Sequence, residues 1–198
     1  MDKANLNVEQ SEDERTTAIG LARYAYEYLD AAILVDQHHG AQPGHEFISP
    51  IPAYYLASHA IELTLKAYLR HRGVSARQLR SRRYYGHDLR ACYRKAKELG
   101  LRDIFKMHAD DLRALLLLIQ LNENQELRYI RTGAKRFPSW AIVEPLAVRL
   151  HQAVAPHVGY NRTFTRAYGK HGATAADGAI AGEPERLAAS AASLAPPS

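Results

Sequence analysis

The sequence predicts an all-α protein: a single domain of packed helices followed by a disordered C-terminal tail. Three observations carry that prediction. Apolar residues recur at spacings of three and four in five separate stretches, and no stretch alternates apolar and polar residues over strand length. Glycine, proline and capping residues punctuate those stretches where helices would begin and end. From about Gly169 onward Ala, Gly, Ser and Pro dominate and large apolar side chains nearly vanish, so that segment has too little apolar surface to offset its conformational entropy. The expected organisation is a flexible N-terminus over 1–13, the bundle over 14–168 and the tail over 169–198.

The first helix is expected from about Glu14 to about His38, with Ile19, Ala22, Tyr26, Leu29 and Ile33 as one apolar stripe. Gly40 and Gln42-Pro43-Gly44 end it. The second begins after Ser49-Pro50, with serine as N-cap and proline tolerated in the first turn, and runs to about His71, where Gly73 stops it. Apolar residues cover most of its circumference, which makes it the central, buried helix. An Arg-rich connector, Arg77 to Arg83, leads to a third helix starting near His87-Asp88 and closed by Gly100. The fourth contains the apolar stretch Leu112 to Leu121, read as core. A long connection from Asn122 to Trp140 leads to the fifth, from about Ala141 to His157. No internal repeat is present.

Composition narrows the function. Cys92 is the single cysteine of 198 residues, which excludes an internal disulfide and a cysteine-built zinc site. No apolar run approaches the roughly 18 residues that span a bilayer. The N-terminal residues lack the apolar stretch of a signal peptide, so a cytoplasmic protein is expected. The net charge of +5 is unevenly spread: Lys66 to Lys106 holds thirteen Lys/Arg against three Asp/Glu, and the rest of the chain is net acidic. Such a segment either attracts polyanions such as nucleic acid or forms a solvated Arg-rich face matched by acidic neighbours.

The second helix carries a polar line through its apolar surface. His59, Glu62 and Lys66 stand three and four residues apart, on one face, and Arg70 extends them. Burying such residues is costly unless they are paired. Glu62 and Lys66 are in the favourable order for pairing, and His59 needs a partner or a cleft. The line is either a structural polar network or solvent-facing strip, or the floor of a cleft that binds a phosphate or a base.

Three pieces of sequence now stand together: Pro52-Ala53-Tyr54-Tyr55-Leu56-Ala57-Ser58-His59-Ala60-Ile61-Glu62-Leu63-Thr64-Leu65-Lys66-Ala67-Tyr68-Leu69, then Gly86-His87-Asp88-Leu89, then Arg128-Tyr129. In this order they resemble the HEPN superfamily of small helical bundles, over roughly Glu14 to Val158. The resemblance implies an antiparallel bundle of four to five helices, a homodimer, and a setting in toxin–antitoxin, phage-defence or RNA-processing systems, with a nucleotidyltransferase or antitoxin as partner. It also implies that active members are metal-independent endoribonucleases whose R-x4–6-H motif lines a cleft between protomers. Arg82 and His87 fit that spacing, as do Arg80 with His87, Arg102 with His108 and Arg166 with His171. The family motif usually lies on a late helix with a polar residue after the arginine. Here the best match opens the third helix, and Arg83 follows Arg82.

Metal-free RNA cleavage needs a group to take the 2′-hydroxyl proton, a charge to stabilise the phosphorane and a group to protonate the leaving oxygen. Histidine suits proton transfer and arginine suits phosphate. His87 and Arg82 are therefore the candidate catalytic pair, with His59 as a second proton carrier. His59, Glu62, Lys66, Asp88, Arg128 and Tyr129 are the candidate substrate-binding residues, with Lys66 or Arg128 adding charge stabilisation. The structural alternatives are local packing for His87, helix-dipole stabilisation for Asp88, and pinning of the long connection by Arg128 and Tyr129. Tyr84 and Tyr85 sit among the arginines, where aromatics stack on bases or fill an interface. His38, His39 and His45 read as a surface turn rather than a metal site, and no phosphate-binding glycine loop is present, so neither metal nor cofactor is expected. The preferred reading is a HEPN-type module that binds RNA or nucleotide or docks on a partner; the alternative is an endoribonuclease.

Overall fold

Helix termini in the computed structural model follow local hydrogen-bonding chemistry closely. The structure describes residues 15–123, 126–127 and 136–164. Among them are seven α-helices, one short 3-10 turn and no strand. The segments 1–13 and 169–198, expected to be flexible and disordered, lie outside the described residues.

Helix α1 spans Ala18–Gly40. It starts later than the periodicity suggests because the Thr17 hydroxyl accepts from the Gly20 N–H at 3.1 Å and fixes the first turn there. Ala22, Ala25, Tyr26, Leu29, Ala32 and Ile33 are buried. Ile19 breaks the expected stripe: it is 46% exposed, at the rim of the bundle beside the Gly159 turn.

Helix α2 spans Ile51–His71 and is the central element, with thirteen of its 21 residues buried. It packs against α1 along its length and against the third, fourth, sixth and seventh helices. Its N-cap is Pro50 rather than Ser49, and no side chain caps it. Pro52 removes one of the first-turn donors, so less capping is needed. At the other end Gly73 takes φ 90°, and the Val74 N–H reaches the Leu69 carbonyl at 3.0 Å, closing the helix as a glycine stop should. Arg70 Nε donates to the Thr16 carbonyl at 2.9 Å, which places the end of α2 at the start of α1 and makes the two antiparallel.

The Arg-rich connector contains a one-turn helix, α3 (Ala76–Arg80), which the periodicity did not suggest. Its cause is the Ser75-x-x-Gln78 capping box, satisfied in both directions. Helix α4 spans Leu89–Glu98, capped by Asp88, whose Oδ1 accepts from the Ala91 N–H at 2.8 Å. Gly100, at φ 91°, ends it and opens the four-residue α5 (Leu101–Ile104). Helix α6 spans Ala109–Glu123. Not all of its apolar stretch is core: Leu115, Leu118 and Ile119 are buried, but Leu112 and Leu116, four apart at the edge of the buried face, are 41% and 45% exposed. Helix α7 spans Trp140–Val154, and its last turn tightens into a 3-10 turn, Ala155–Val158, at Pro156.

Three contacts fix the remaining orientations. Tyr54 donates to the Pro138 carbonyl at 2.9 Å, tying the start of α2 to the entry of α7. The buried His151 Nε2 lies 3.0 Å from the Ala22 carbonyl, so α7 runs antiparallel to α1. Arg149 near the end of α7 pairs with Asp111 at the start of α6, so these two are antiparallel as well. Among the described residues no helix is long and apolar enough to cross a membrane.

Candidate functional site

The polar line on α2 is buried at its centre and open at its edge. Glu62 is 3% exposed and Lys66 is 7% exposed. Lys66 Nζ donates to Glu62 Oε1 at 2.7 Å, and it also donates to the Gly86 carbonyl in the turn before α4. His87, one residue further along that turn, brings Nδ1 to 3.2 Å from the same Glu62 Oε1. His59 brings its Nδ1 to 3.9 Å from the other carboxylate oxygen, Oε2. One carboxylate is therefore surrounded by an ammonium and two imidazoles, contributed by α2 and by the α3–α4 turn.

Burial by itself would raise the Glu62 carboxyl. The His59 ring and the Lys66 ammonium outweigh it and hold the carboxyl down at about 2, so Glu62 is a carboxylate throughout the neutral range. The nearby Cys92 goes the other way: burial pushes its thiol up to about 12, which removes it as a nucleophile.

Each residue of Gly86-His87-Asp88-Leu89 has a structural task. Gly86 takes φ 35°, and a Cβ there would lie 3.0 Å from the Arg82 Cα, so a side chain would both strain and crowd the turn. That conformation aims its carbonyl at Lys66. His87 turns its ring to Glu62, and its own carbonyl accepts from Asn122 Nδ2 of α6 at 2.6 Å. Asp88 caps α4, and Leu89 is buried. Arg90 Nε then pairs with Glu123 at 2.8 Å, which holds the last turn of α6 against the start of α4.

Accessibility separates the members of the site. The His87 side chain is 56% exposed and His59 is 21% exposed, whereas Glu62 and Lys66 lie beneath. The His59 ring is held by Tyr28 of α1, edge-on at 4.5 Å, and lies parallel to Tyr55 at 6.4 Å. Arg82 and Arg83 are exposed on the same turn as His87, and Arg83 lies over the ring of the exposed Tyr84 at 5.9 Å.

The structure thus brings His59, Glu62, Lys66 and His87 together and puts Arg82 on the adjoining turn. Asp88 is committed to capping α4 and faces the helix rather than the carboxylate cluster. Arg70, the extension of the polar line, is used in joining α2 to α1. Arg128 and Tyr129 lie outside the described residues. Tyr28 and Asn122 were not found from sequence; they come from α1 and α6, and no local pattern links them to the motifs. Among the described residues no group of three His, Cys, Asp or Glu side chains is arranged to hold a metal ion, and His39, in the last turn of α1, stacks on His45 at 4.4 Å. No protein-family model, curated protein or solved structure matches the chain.

Proposed function

We propose that this chain is a HEPN-type helical module that binds RNA or a nucleotide through the surface around His87. The observation that carries this reading is the 3.2 Å contact from Glu62 to His87, which fixes a solvent-facing imidazole on the turn that also exposes Arg82 and Arg83. Asp88 takes the Ala91 N–H and sets its carboxyl group at the start of α4, so the guanidinium groups of the turn, not the helix end, are the groups that recognise a phosphate in this reading. Tyr84 beside Arg83 offers a face on which an unpaired base can stack. In this reading the protein is a cytoplasmic homodimer working in a toxin–antitoxin or defence setting, with a nucleotidyltransferase or antitoxin as partner.

A second reading, a metal-independent endoribonuclease using Arg82 and His87, is supported by the same contact. A carboxylate on Nδ1 leaves Nε2 as the outward nitrogen, the arrangement by which an imidazole is oriented for proton transfer.

Binding to single-stranded RNA, measured by fluorescence anisotropy from 50 to 300 mM salt, tests the first reading. Log affinity is expected to fall linearly with log salt, and the joint change Arg82→Ala/Arg83→Ala is expected to reduce the slope by roughly one to two. Affinity that does not respond to salt, or a double variant that binds like wild type, would sink it.

A further inference from the structure

After the 3-10 turn the chain turns onto α1. Gly159, at φ 84°, makes the change of direction beside Ile19, and the Tyr160 N–H closes it on the Ala155 carbonyl at 2.9 Å. Residues 159–164 then form a strap against Tyr26. Phe164 stacks on the Tyr26 ring at 4.4 Å, and the Arg162 guanidinium lies 4.6 Å from the centre of the same ring. Among the described residues no backbone hydrogen bond joins 161–164 to a helix, so side-chain contacts hold the strap there. Beneath it lies His151, which is fully buried. The rings of Tyr26, Tyr160 and Phe164 surround the imidazole, and two of the three belong to the strap.

The hydrogen bonding of His151 leaves one edge open to a proton. A carbonyl oxygen only accepts, so the Ala22 carbonyl at 3.0 Å assigns the proton to Nε2 and leaves Nδ1 as a bare lone pair. Nδ1 is buried and has no hydrogen-bond partner among the described residues. It is therefore the atom that takes a second proton, and nothing beside it accepts from the N–H that results. Tyr26 of α1 and Tyr160 of the strap are the titratable side chains in contact with the ring, and Glu27 and Arg162 both act on the Tyr160 hydroxyl. Charged groups on the elements packed against α7 are engaged with one another: Arg23 with Glu27 in α1, Lys66 with Glu62 in α2, and Asp111 of α6 with Arg149. What moves the imidazole is burial, which lowers it, opposed in part by the Ala22 carbonyl.

We propose that residues 159–164 are an acid-released latch: a proton on His151 Nδ1 lifts the strap from Tyr26 and admits water to this edge of the bundle, while the helices stay packed. An imidazolium closed in by three rings needs water on Nδ1, and the strap is the neighbour held by the fewest contacts, so it is the part that gives way. Arg162 works in the same direction, since it sets a second positive charge on the same aromatic cluster. With the strap closed, His151 lies below its usual 6.5; with the strap lifted and the ring in water, it returns to that value. The open form therefore takes the proton first. The latch holds above pH 6.5 and weakens as the pH falls below it, and the ratio of open to closed strap rises at most about tenfold for each pH unit, the limit set by one proton. Opening uncovers the α1 face between Ile19 and Tyr26, an apolar surface that the closed strap covers in part.

The test uses the full chain with a nitroxide label on the strap at Thr163→Cys, an exposed position; Cys92 is buried and does not compete for the label. A second protein carries the label at Gln120→Cys, on the exposed face of α6. Spin-label mobility and far-ultraviolet circular dichroism are followed from pH 8 to pH 4.5. The strap label is expected to be held at pH 8 and to become mobile below pH 6.5, while the α6 label and the helical signal stay unchanged. His151→Gln, whose amide can still donate to the Ala22 carbonyl but takes no proton, should keep the strap label held across the range. If that variant does not fold, the His151 imidazole signal in the unsubstituted protein replaces it: its proton titration by nuclear magnetic resonance should share its midpoint with the release. A strap label that is mobile already at pH 8, one that stays held until the helices unfold, an α6 label released together with it, a His151→Gln protein that releases at the wild-type pH, or a His151 titration displaced from the release would each overturn the latch.

Discussion

Two of the polar side chains buried among the helices meet opposite fates. Glu62, near the middle of α2, has cationic or potentially cationic nitrogens on both oxygens and keeps its charge. His151, in α7, has the Ala22 carbonyl on Nε2, no hydrogen-bond partner for Nδ1 among the described residues, and the rings of Tyr26, Tyr160 and Phe164 around it. Burial there depresses the imidazole below its usual range, only partly opposed by the carbonyl, and His151 stays neutral. Burial alone thus does not decide ionisation; the partners brought in with the buried group do. The charged site opens to the surface through two histidines, while the neutral one is closed by aromatic packing.

Removing the countercharge breaks the comparison most severely. Lys66→Met leaves Glu62 buried without its ammonium, and a loss of about 4 kcal/mol is expected in urea unfolding. Adding Glu62→Gln should recover part of it, because the orphaned charge goes too; a double variant no more stable than Lys66→Met would show that Lys66 acts through Gly86 instead.

Acid sharpens the contrast. The Glu62 carboxyl sits at about 2 when folded against 4.5 otherwise, so its contribution is complete above pH 4.5 and is lost as the pH falls from 4.5 toward 2. About 3 kcal/mol of stability should disappear over that window, and Glu62→Gln should flatten it. His151 acts in a higher window. Its folded value lies below 6.5, so stability is intact above pH 6.5 and falls below it, as the unfolded chain takes the proton first. This smaller drop, measured from urea midpoints at pH 7 and pH 5, should shrink in His151→Phe. An unchanged drop would mean that the Nδ1 edge of His151 is able to accept a proton without opening the core.

Much of this was legible in the sequence because the causes are local. The i, i+3, i+4 spacing put His59, Glu62 and Lys66 on one face, and Gly100 and Asp88 marked helix ends through backbone conformation and capping. Ser75-x-x-Gln78 carried its own signal for α3, hidden by the arginines around it. Helix α5, with four residues, is too short to show any period. The exposure of Ile19, Leu112 and Leu116 depends on how far neighbouring helices extend, which periodicity does not encode. The site divides in the same way. That Glu62 holds His87, 25 residues away, and that Asn122 holds the His87 backbone from 35 residues away, are tertiary facts with no local signature.

The backbone on either side of the His87 nitrogen is gripped from two separate helices: Lys66 of α2 holds the carbonyl before it, and Asn122 of α6 holds the carbonyl after it. The placement of the His87 ring is thus shared between α2 and α6, so a substitution at Asn122 bears on the surface at His87 although its side chain touches only the backbone there.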